Sequence, residues 1–587
     1  MDMVTLTIDG IKVKVPQNTT VLKAARKVGI KIPTLCYLKG VNEIGACRMC
    51  VVEVKGAKTL QTSCILPVSE GMKVITNSKL VRESRKVTLE LLLSNHNIEC
   101  PTCIRNLNCE LQKLSKELGI QSIRYLGEKS KTQYDDFSPA IVRDTSKCIL
   151  CNRCVSNCHD VQGVGAISPN YRGFDTVVAP FYDISLNEVP CVNCGQCIMV
   201  CPVGALKEKD DTEKVWSALA NPKLHVVVQT APAVRVSLGE EFGEKIGSIV
   251  TKKLTSALKR LGFDKVFDTN LSADLTIMEE GSEFLYRLQT GRKLPLITSC
   301  SPGWIKFCEH YYPEFLDNLS TCKSPQQMFG ALIKTYYAEK AGIDPSNIYS
   351  VSIMPCTAKK YECQRPEMFS SGYQDVDAVL TIRELSRMLK EANIDFNTLP
   401  DDEYDEPLGI STGAAAIFGA TGGVMEAALR TVYEIVTKKE LKKIDFTQVR
   451  GIEGVKEATI DLNGTEVNVA VAHGLSNARK ILDRVKSGEV NYHFVEIMCC
   501  PGGCVGGGGQ PILSADERWE KDYRESRGNA IYDVDRNMSL RKSHENPAVQ
   551  SLYKEFLGEP LGEKSHKLLH TYYIERQSYA NVKSNNL

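Results

Sequence analysis

Cysteines are concentrated in the first third of this chain. Fifteen of the 23 cysteines fall within the first 201 residues, in four groups whose spacings are typical of iron–sulfur cluster sites. The remaining eight lie beyond residue 299, and several of them follow apolar runs in Gly- and Pro-rich turns. Thiolates grouped in this way hold redox metals. The spacing therefore indicates a chain that carries electrons to or from buried chemistry.

The strongest pattern occurs twice between residues 148 and 201. Each copy reads C-x2-C-x2-C-x3-C, and Pro202 follows the second. Bacterial two-cluster ferredoxins have this pattern, and the fourth cysteine of each copy serves the other cluster. His159 is interpreted as a neighbour of these sites and not as a ligand. The pattern predicts two [4Fe–4S] clusters, one on Cys148, Cys151, Cys154 and Cys201 and the other on Cys191, Cys194, Cys197 and Cys158.

A different set of four cysteines lies nearer the N-terminus, with the spacing C-x10-C-x2-C-x13-C. The loop is longer than in the plant-type C-x4-C-x2-C pattern. A structural zinc site is the alternative, but zinc ribbons usually show two CxxC knuckles. We therefore expect one [2Fe–2S] cluster, held by Cys36, Cys47, Cys50 and Cys64.

The residues around this set predict the domain that holds it. Apolar and polar residues alternate on both sides of Asp9-Gly10, which predicts a hairpin with a two-residue turn. A helical pattern then runs from Val21 to Val28 and stops at Gly29. A hairpin, a helix and a cysteine-bearing loop together predict a small β-grasp domain over residues 1–79.

A histidine precedes the second cysteine group of the chain, in the pattern H-x3-C-x2-C-x5-C. A lone histidine is more often a core or surface residue, but this one completes a set of four. A neutral imidazole in place of one thiolate makes a cluster less negative and should raise its potential. Residues 80–120 are thus expected to form a segment with a third accessory [4Fe–4S] cluster, held by His96, Cys100, Cys103 and Cys109.

Composition and charge exclude several classes of protein. The chain is 43% hydrophobic and 24% charged with a net charge of +1, so neither nucleic acid nor a membrane surface is an expected partner. It has no run of about 18 apolar residues that would predict a transmembrane helix. Its N-terminus also lacks the layout of a signal peptide, so a cytoplasmic location is favoured, although export with a partner stays open. In a reducing compartment, clustered CxxC motifs indicate metal sites and not disulfides.

The pattern changes beyond residue 224, where apolar runs alternate with helical stretches such as 250–261 and 423–436. This alternation predicts parallel α/β layers, in which ligands bind at the carboxyl ends of strands. The charged stretch 207–214 before it is interpreted as a solvated connector. The candidate buried strands are His225–Gln229, Leu294–Thr298, Tyr349–Met354, Ala378–Thr381, Val467–Ala472 and His493–Ile497.

Three of these strands are followed by cysteine-bearing turns. The turns read TSCSPGW over 298–304, MPCTAKKYE over 354–362 and EIMCCPGGCVGGGGQ over 496–510. Glycines let the backbone approach a bulky inorganic group and donate to it, while the thiolates supply ligands. Three unrelated loops with buried free thiols are the alternative interpretation. The recurrence of the pattern favours one shared metal centre.

These turns resemble the signature motifs of the iron-only ([FeFe]) hydrogenases, usually written TSCCPxW, MPCxxKxxE and ExMxCxGGCxxGGG. The chain resembles that family over almost its whole length, and in particular the hydrogen-converting subunit of multi-subunit NAD(P)-linked hydrogenases of the electron-bifurcating type. The RKSHENP sequence at 541–547 is similar to the family's small subunit. The resemblance implies a multidomain α+β and α/β chain: a ferredoxin domain at 138–210, a large two-lobed α/β catalytic domain at 222–515 and a small-subunit-like segment at 516–578.

The resemblance also implies an H-cluster, a [4Fe–4S] cubane joined through a cysteine sulfur to a two-iron unit with CO, CN⁻ and azadithiolate. Cys356, Cys500 and Cys504 match cubane ligands, with Cys504 as the bridging one. Lys359 matches a residue that hydrogen-bonds a cyanide, since a cation stabilises an anionic ligand. The residues that match the pocket of the two-iron unit are Pro232, Ala233, Gln326, Met354, Phe418 and Met498.

A proton path can be carried over from the family in the same way. Cys300 matches the thiol beside the bridging amine, and Glu280, Glu283, Arg287 and Ser320 match the residues that lead outward. Glu280 and Glu283 are three residues apart, so on a helix they share a face and could pass a proton through a water. Taken without the resemblance, the two glutamates would be interpreted as a solvated charged face.

The chain departs from the family pattern at Ser301. The family has two adjacent cysteines here, and the second is a cubane ligand, whereas this chain has Cys300-Ser301. Three possibilities stay open: Ser301 ligates iron through oxygen, Cys300 takes that role, or the local cluster is altered. Cys499 is another nearby thiol. The three remaining cysteines are interpreted as buried apolar residues, namely Cys308, Cys322 and Cys363.

The predicted function is the reversible reaction 2H⁺ + 2e⁻ ⇌ H₂. Electrons would pass through the ferredoxin-like clusters and branch to the His96 and [2Fe–2S] sites. A flavin- and NAD(P)-binding subunit and a small [2Fe–2S] subunit are expected partners, because the chain has no convincing GxGxxG site, and ferredoxin is another. The alternatives are a stand-alone ferredoxin hydrogenase, an H₂ or redox sensor or cluster-assembly relative, and an electron-conducting subunit of a respiratory-type dehydrogenase.

Overall fold

The computed structural model describes residues 2–441, 444–462 and 464–577. Residues 1 and 578, the outer limits of the first and last predicted domains, lie outside the described residues. Among the helices described, none combines the length and the apolar character needed to cross a bilayer. Six clusters of buried apolar side chains form the interior, and they follow the chain from the N-terminal sheet to the last helices.

The N-terminal unit has the predicted hairpin and helix. Strands β1 (Met3–Ile8) and β2 (Ile11–Pro16) are antiparallel, and Asp9 and Gly10 both have positive φ, as a two-residue turn requires. Helix α1 (Val21–Lys27) ends just before Gly29. The five-stranded sheet has the order β2-β1-β5-β3-β4. Its other strands are β3 (Val51–Val54), β4 (Gln61–Thr62) and β5 (Lys73–Ile75).

Two helices flank the next cysteine group. Helix α2 (Lys79–Asn95) begins where the Ser78 side chain accepts from the backbone N–H of Val81, and it ends at His96. Helix α3 (Glu110–Glu117) begins directly after Cys109. His96 therefore follows the last residue of α2 and Cys109 precedes the first residue of α3, with the CxxC pair in the loop between them.

The ferredoxin-like unit repeats one local arrangement. Asn152 and Gly195 both have positive φ, and each directly precedes a short helix that carries a predicted ligand. Three of its strands form the sheet β10-β7-β6, and two form a separate pair. The elements are β6 (Tyr134–Asp135), β7 (Ile141–Asp144), α4 (Arg153–Ser156), β8 (Ser168–Asn170), β9 (Val177–Ala179), α5 (Gln196–Val200) and β10 (Leu206–Glu208).

The charged stretch 207–214 is not a solvated connector, so that prediction was wrong. It contains the end of β10 and the start of helix α6 (Thr212–Leu219). Glu208 is buried and accepts from Arg383 Nη2 over 2.7 Å, and Lys360 Nζ donates to Asp211 Oδ2 over 2.6 Å. These carboxylates are paired with cations of the catalytic half, because a buried charge needs a partner.

The catalytic half contains two four-stranded sheets, which gives it two lobes. The first, β12-β11-β14-β15, is entirely parallel; in the second, β13-β18-β17-β16, the last strand is antiparallel to its neighbour. The six predicted strands all pair in parallel, whereas the antiparallel strand β16 was not among the predicted strands. The strands are β11 (His225–Thr230), β12 (Lys265–Asp268), β13 (Leu296–Ile297), β14 (Ile348–Met354), β15 (Ala378–Thr381), β16 (Val455–Leu462), β17 (Thr465–His473) and β18 (Phe494–Met498).

The longest helix of this half lies deep inside it. Helix α8 is buried along most of its length and packs on α10 and α15. Several of its charged residues are therefore buried too, among them Glu280, Glu283 and Arg287. The helices are α7 (Thr251–Leu261), α8 (Asn270–Thr290), α9 (Pro302–Tyr311), α10 (Pro325–Leu332), α11 (Ala338–Ala341), α12 (Ala358–Glu362), α13 (Ile382–Glu391), α14 (Gly413–Ala416), α15 (Gly423–Thr437) and α16 (Leu475–Lys486).

The C-terminal segment wraps around the other units. Trp519 packs against Tyr37 of the N-terminal unit, and Arg430 of α15 makes 2.9 Å bonds to both oxygens of Asp535. The segment is therefore an integral part of the fold. Its helices are α17 (Ala515–Glu520), α18 (Tyr523–Asn537), α19 (Pro547–Leu552) and α20 (Glu563–Leu569).

Candidate functional site

The three cysteine-bearing turns meet at one cavity. Cys356 follows β14 of the first sheet, while Cys300 and Cys500 follow β13 and β18 of the second. The walls of the cavity are largely apolar. Its cysteine and serine lining consists of Cys300, Ser301, Cys356, Cys499, Cys500 and Cys504.

Glycines of the third turn allow the close approach that shapes this cavity. A Cβ at Gly507 would lie 2.0 Å from the carbonyl oxygen of Pro355, and a Cβ at Gly508 would lie 2.2 Å from that of Cys194. Neither backbone atom could yield to a side chain. The third turn therefore packs directly on the second turn and on the ferredoxin-like unit. A closed cradle lined by several thiols fits a bulky cluster held by cysteine.

The predicted pocket for a two-iron unit lies in the same cavity, with one exception. Ala233 is buried in an apolar core cluster and does not line the cavity, whereas Ala231 does. The helical turn that starts at Pro232 directs Ala233 inward, which the sequence did not reveal. Thr269 and Ala273 also line the cavity and were not predicted. The predicted residues found in the lining are Pro232, Gln326, Met354, Phe418 and Met498.

Lys359 points into the cavity from α12, one turn after Cys356. Its ammonium donates to Glu362 Oε2 over 2.9 Å and to the carbonyl oxygen of Cys300 over 3.1 Å. Glu362 also accepts from Ser324 Oγ over 2.8 Å. Glu362 was quoted in the second motif without a role, and it orients Lys359.

The predicted proton path forms a buried chain of polar groups, in which Glu280, Glu283 and Arg287 lie on α8 and Ser320 lies in the segment before α10. Ser320 Oγ donates to Glu283 Oε2 over 2.9 Å, and Arg287 Nη2 donates to Glu283 Oε1 over 2.5 Å. Glu280 is 1% exposed, and its Oε1 has no hydrogen-bond partner among the described residues. Burial, and then the charge of Glu283, raise the pKa of Glu280 to about 8. The two glutamates are therefore not a solvated face.

Cys300 lies at the inner end of this chain. Burial raises the pKa of its thiol well above the ordinary range, and the nearby charge of Glu280 raises it further. Both pKa shifts favour the protonated forms of the Cys300 thiol and the Glu280 carboxyl. Two neighbouring groups that hold protons, one beside the cavity and one behind it, suit proton transfer.

Ser301, where the chain departs from the family pattern, contacts the third turn. The backbone N–H of Cys499 donates to Ser301 Oγ over 3.2 Å. Cys499 is 3% exposed and lies beside Cys500, at the end of β18. The remaining thiols, Cys308, Cys322 and Cys363, are buried among apolar residues as predicted.

The eight cysteines of the ferredoxin-like pattern come together in the predicted sets. Cys148, Cys151, Cys154 and Cys201 line one small cavity. For the second set, burial and then the charges of Cys194, Cys191 and Cys158 raise the pKa of the Cys197 thiol, so these four lie together as well. Thiolates clustered in a buried site would repel one another, and a bound metal ion stabilises them.

The [2Fe–2S] candidates also lie together. The backbone N–H of Cys36 donates to Cys47 Sγ over 3.3 Å, and the sulfurs of Cys50 and Cys64 are 3.2 Å apart. At the other outer site, His96 is buried and its Nδ1 has no hydrogen-bond partner among the described residues. An unpaired buried imidazole nitrogen is costly unless it binds a ligand. Of its partners in the predicted set, Cys103 and Cys109 lie close enough for their charges to interact.

Two buried glutamates beside these sites were not given a role from the sequence. Glu496 accepts from the backbone N–H groups of Gly422 and Met425 over 2.6 and 2.7 Å, which fixes the start of α15 against the third turn. Glu279 accepts from Tyr553 OH over 2.6 Å and faces His570 Nε2 at 3.1 Å. Glu496 stands in the third motif and could have been noticed, whereas the Glu279 contacts join distant parts of the chain.

The fold and these sites define an iron–sulfur oxidoreductase in which a row of cluster sites leads to a buried, thiolate-lined cavity. Five family descriptions match the chain. They are the iron-only hydrogenase large subunit, C-terminal domain (224–508), the iron hydrogenase small subunit (521–576), the 2Fe-2S iron-sulfur cluster binding domain (1–79), the NADH-ubiquinone oxidoreductase-G iron-sulfur binding region (85–124) and the 4Fe-4S dicluster domain (147–205).

Individual proteins of known family are also similar to this chain. The NADP-reducing hydrogenase subunit HndD of Solidesulfovibrio fructosivorans is 52% identical, over 98% of this chain and 100% of its own length. Iron hydrogenase 1 of Clostridium pasteurianum is 43% identical, over 97% of this chain and 100% of its own length. An apo [FeFe]-hydrogenase structure from Chlamydomonas reinhardtii matches 62% of this chain and 99% of its own with 44% identity and a TM-score of 0.56.

The chain belongs to the iron-only hydrogenase family. It is a hydrogenase with accessory [2Fe–2S] and [4Fe–4S] domains, and the multidomain fold inferred from the sequence is confirmed.

Proposed function

We propose that this chain catalyses reversible H₂ oxidation and proton reduction at an H-cluster and passes electrons along its accessory clusters to NAD(P)-linked subunits. In this proposal Cys356, Cys500 and Cys504 hold the cubane, and the domains extend over 1–79, 80–120, 138–210, 222–515 and 516–578. The observation that carries the proposal is the convergence of three motif turns on one cavity, with a buried proton path behind it.

When bound, the H-cluster supplies the redox metal that gives up or takes up the electrons of H₂. The chain supplies the rest of the site. Lys359 places a cation in an apolar cavity, held by Glu362, where it can bind an anionic ligand. The apolar lining excludes water from the reacting centre and strengthens that interaction.

Protons move along the residues behind the cavity. The Cys300 thiol exchanges a proton with the reacting centre, and Glu280 receives it from there. Glu280 holds a proton near neutral pH, which matches a carrier that must both accept and release it. Ser320 and Glu283 continue the path through their 2.9 Å hydrogen bond, and Arg287 positions Glu283 at the outer end.

The contacts between units support an electron path to the cavity. Gln196 Nε2 donates to the carbonyl oxygen of Gly506 over 2.8 Å, and Thr357 Oγ1 donates to that of Asn193 over 2.7 Å. Both bonds join the ligand loop of the second ferredoxin-like cluster to the turns around the cavity. Electrons would therefore enter or leave through this cluster.

The two outer sites both meet the other ferredoxin-like cluster. Asn42 Nδ2 donates to the carbonyl oxygens of Cys36 and Cys151 over 2.7 and 3.0 Å, which links the [2Fe–2S] loop to that cluster. The backbone N–H of Glu110, next to Cys109, donates to Pro202 O over 3.0 Å. The path thus branches at this cluster, which supports two separate electron partners.

A flavin- and NAD(P)-binding subunit and a small [2Fe–2S] subunit are the proposed partners, with ferredoxin as the second electron partner, in the cytoplasm. The similarity to an NADP-reducing hydrogenase subunit supports this choice. A stand-alone ferredoxin hydrogenase is the second candidate. Purification from the native host separates them: co-elution with a flavoprotein that reduces NAD(P) with H₂ supports the complex, and a lone active chain contradicts it.

The activity itself is tested with the matured full-length chain. H₂ evolution from a chemically reduced dye should require the two-iron unit, and protein made without maturation should be inactive under the same conditions. A matured chain that binds all its iron yet neither evolves nor consumes H₂ would contradict the enzymatic assignment and favour a sensor or cluster-assembly role.

A further inference from the structure

The cavity lacks one thiolate of the family pattern but gains another. Ser301 stands where the first motif has its second cysteine, and Cys499 stands at a position that the third motif leaves open. The structure brings these two residues into contact, because the backbone N–H of Cys499 donates to Ser301 Oγ over 3.2 Å. Both line the same cavity. The number of thiols around the cavity is therefore unchanged, and one has moved to the neighbouring turn.

We propose that Cys499 supplies the fourth thiolate of the cubane, together with Cys356, Cys500 and Cys504, in place of Ser301. This inference rests on the proposed H-cluster. Iron–sulfur clusters are held by thiolates in preference to hydroxyl oxygens, because sulfur is the softer ligand. Binding forms one Fe–S bond and releases the thiol proton to solvent, without any change in the oxidation state of iron.

The space around Cys499 fits this role. A Cβ at Gly303 would lie 2.7 Å from Cys499 Sγ, so only a glycine at that position leaves room for the sulfur. Gly303 occupies the open position of the first motif, two residues after Ser301. Three positions, Ser301, Gly303 and Cys499, are thus matched to one another across the two turns.

The Cys499 thiol is surrounded by other thiols. Its Sγ is within hydrogen-bonding contact of the thiols of Cys194 and Cys500, and it makes a longer contact of 4.0 Å with Gln162 Oε1. It is 3% exposed and lies beside the thiols of Cys500 and Cys194. Cys194 is a predicted ligand of the neighbouring cluster. Ligation by Cys499 therefore places a cubane thiolate on the side of the cavity that faces the electron path.

Ser301 has a different role in this arrangement. Its hydroxyl oxygen already accepts from the Cys499 backbone, which holds the two turns together. A neutral hydroxyl suffices for that bond. Ser301 is thus a positioning residue for the turn that carries the new ligand.

The test uses full-length protein expressed without the maturation proteins, so that only the cubane and the accessory clusters are loaded. Iron per chain, the EPR spectrum of the reduced cubane and its midpoint potential are measured for Cys499→Ala, Ser301→Ala and the double variant Ser301→Cys/Cys499→Ala. Cys308→Ala, a buried thiol outside the cavity lining, is the matched control.

We expect Cys499→Ala to lose about four iron atoms and the cubane signal, as loss of a ligand from a [4Fe–4S] cluster predicts. Ser301→Ala and Cys308→Ala should keep both, and the double variant should regain them with a shifted potential. Loss of the cubane in Ser301→Ala, its retention in Cys499→Ala, or no recovery in the double variant would each overturn the inference. Absence of any cubane from the unsubstituted protein would instead overturn the proposed function.

Discussion

The ammonium of Lys359 lies 2.9 Å from Glu362 Oε2, within one turn of helix α12. The pair stands at the edge of the cavity, where the ammonium also reaches the carbonyl oxygen of Cys300 over 3.1 Å. One carboxylate therefore fixes a cation of the second turn against the backbone of the first. Loss of Glu362 should therefore alter the conformation of both turns.

Replacing Glu362 by Ala leaves the buried ammonium of Lys359 without its partner. Breaking a buried ion pair in this way typically costs about 3–5 kcal/mol. We expect faster thermal inactivation of the anaerobic protein and lower iron content. Glu339→Gln, which alters an exposed carboxylate, is the control and should behave as the unsubstituted chain. Equal inactivation rates for the two variants would show that the pair does not stabilise the site.

Replacing Cys300 by Ala removes the proton carrier beside the cavity without removing a proposed cubane ligand. Loss of one proton-transfer group typically lowers a rate by about 10²–10⁴-fold. H₂ turnover should fall by that much, while iron content and the infrared bands of the cluster are retained. Cys308→Ala should turn over normally. Near-normal rates in Cys300→Ala would remove this residue from the path.

The protonation of Glu280 should make the free energy of unfolding depend on pH. Its pKa of about 8 in the folded chain, above the ordinary 4.5, means that the native state holds a proton that the unfolded chain releases. Rising pH between those values therefore lowers the free energy of unfolding. Glu280→Gln, which stays neutral, should remove this pH dependence and also block turnover.

Infrared difference spectroscopy tests directly whether the Glu280 carboxyl is protonated. The carbonyl band of a protonated carboxyl should be present at neutral pH, fade above about pH 8 and be absent from Glu280→Gln. Glu339→Gln should leave the band unchanged. A band that persists in Glu280→Gln belongs to another carboxyl and would contradict the assignment.

His96 should set the potential of its cluster. Its unpaired Nδ1 lies in a buried site, as a ligand nitrogen requires. His96→Cys keeps four ligands but adds a negative charge, so the midpoint potential in an EPR-monitored titration should become more negative. His159→Ala, at an exposed histidine, is the control. An unchanged potential and spectrum in His96→Cys would exclude His96 as a ligand.

Much of this architecture could be predicted because cysteine spacing is local. The two ferredoxin-like sets, the hairpin around Asp9-Gly10 and the three motif turns all depend on residues that are near one another in sequence. The parallel strands were recognisable because they are buried on both faces and read as apolar runs. Strand β16 was missed because it is half exposed and carries polar residues along its length.

What the sequence could not give depends on contacts between distant segments. The pairing of Glu208 with Arg383 spans 175 residues, so the charged stretch looked solvated. The direction of Ala233 depends on the turn that begins at Pro232. The bond between Glu279 and His570 joins helix α8 to the C-terminal segment. Contacts between residues so far apart in the chain leave no spacing pattern in the sequence from which they could be predicted.

Infrared spectroscopy of the matured, H₂-active protein tests the central claim most directly. If the three turns hold an H-cluster, CO and CN⁻ bands will be present, shift when H₂ is added and disappear in protein made without the two-iron unit. Absence of these bands from a preparation that turns over H₂ would contradict the assignment of the cavity.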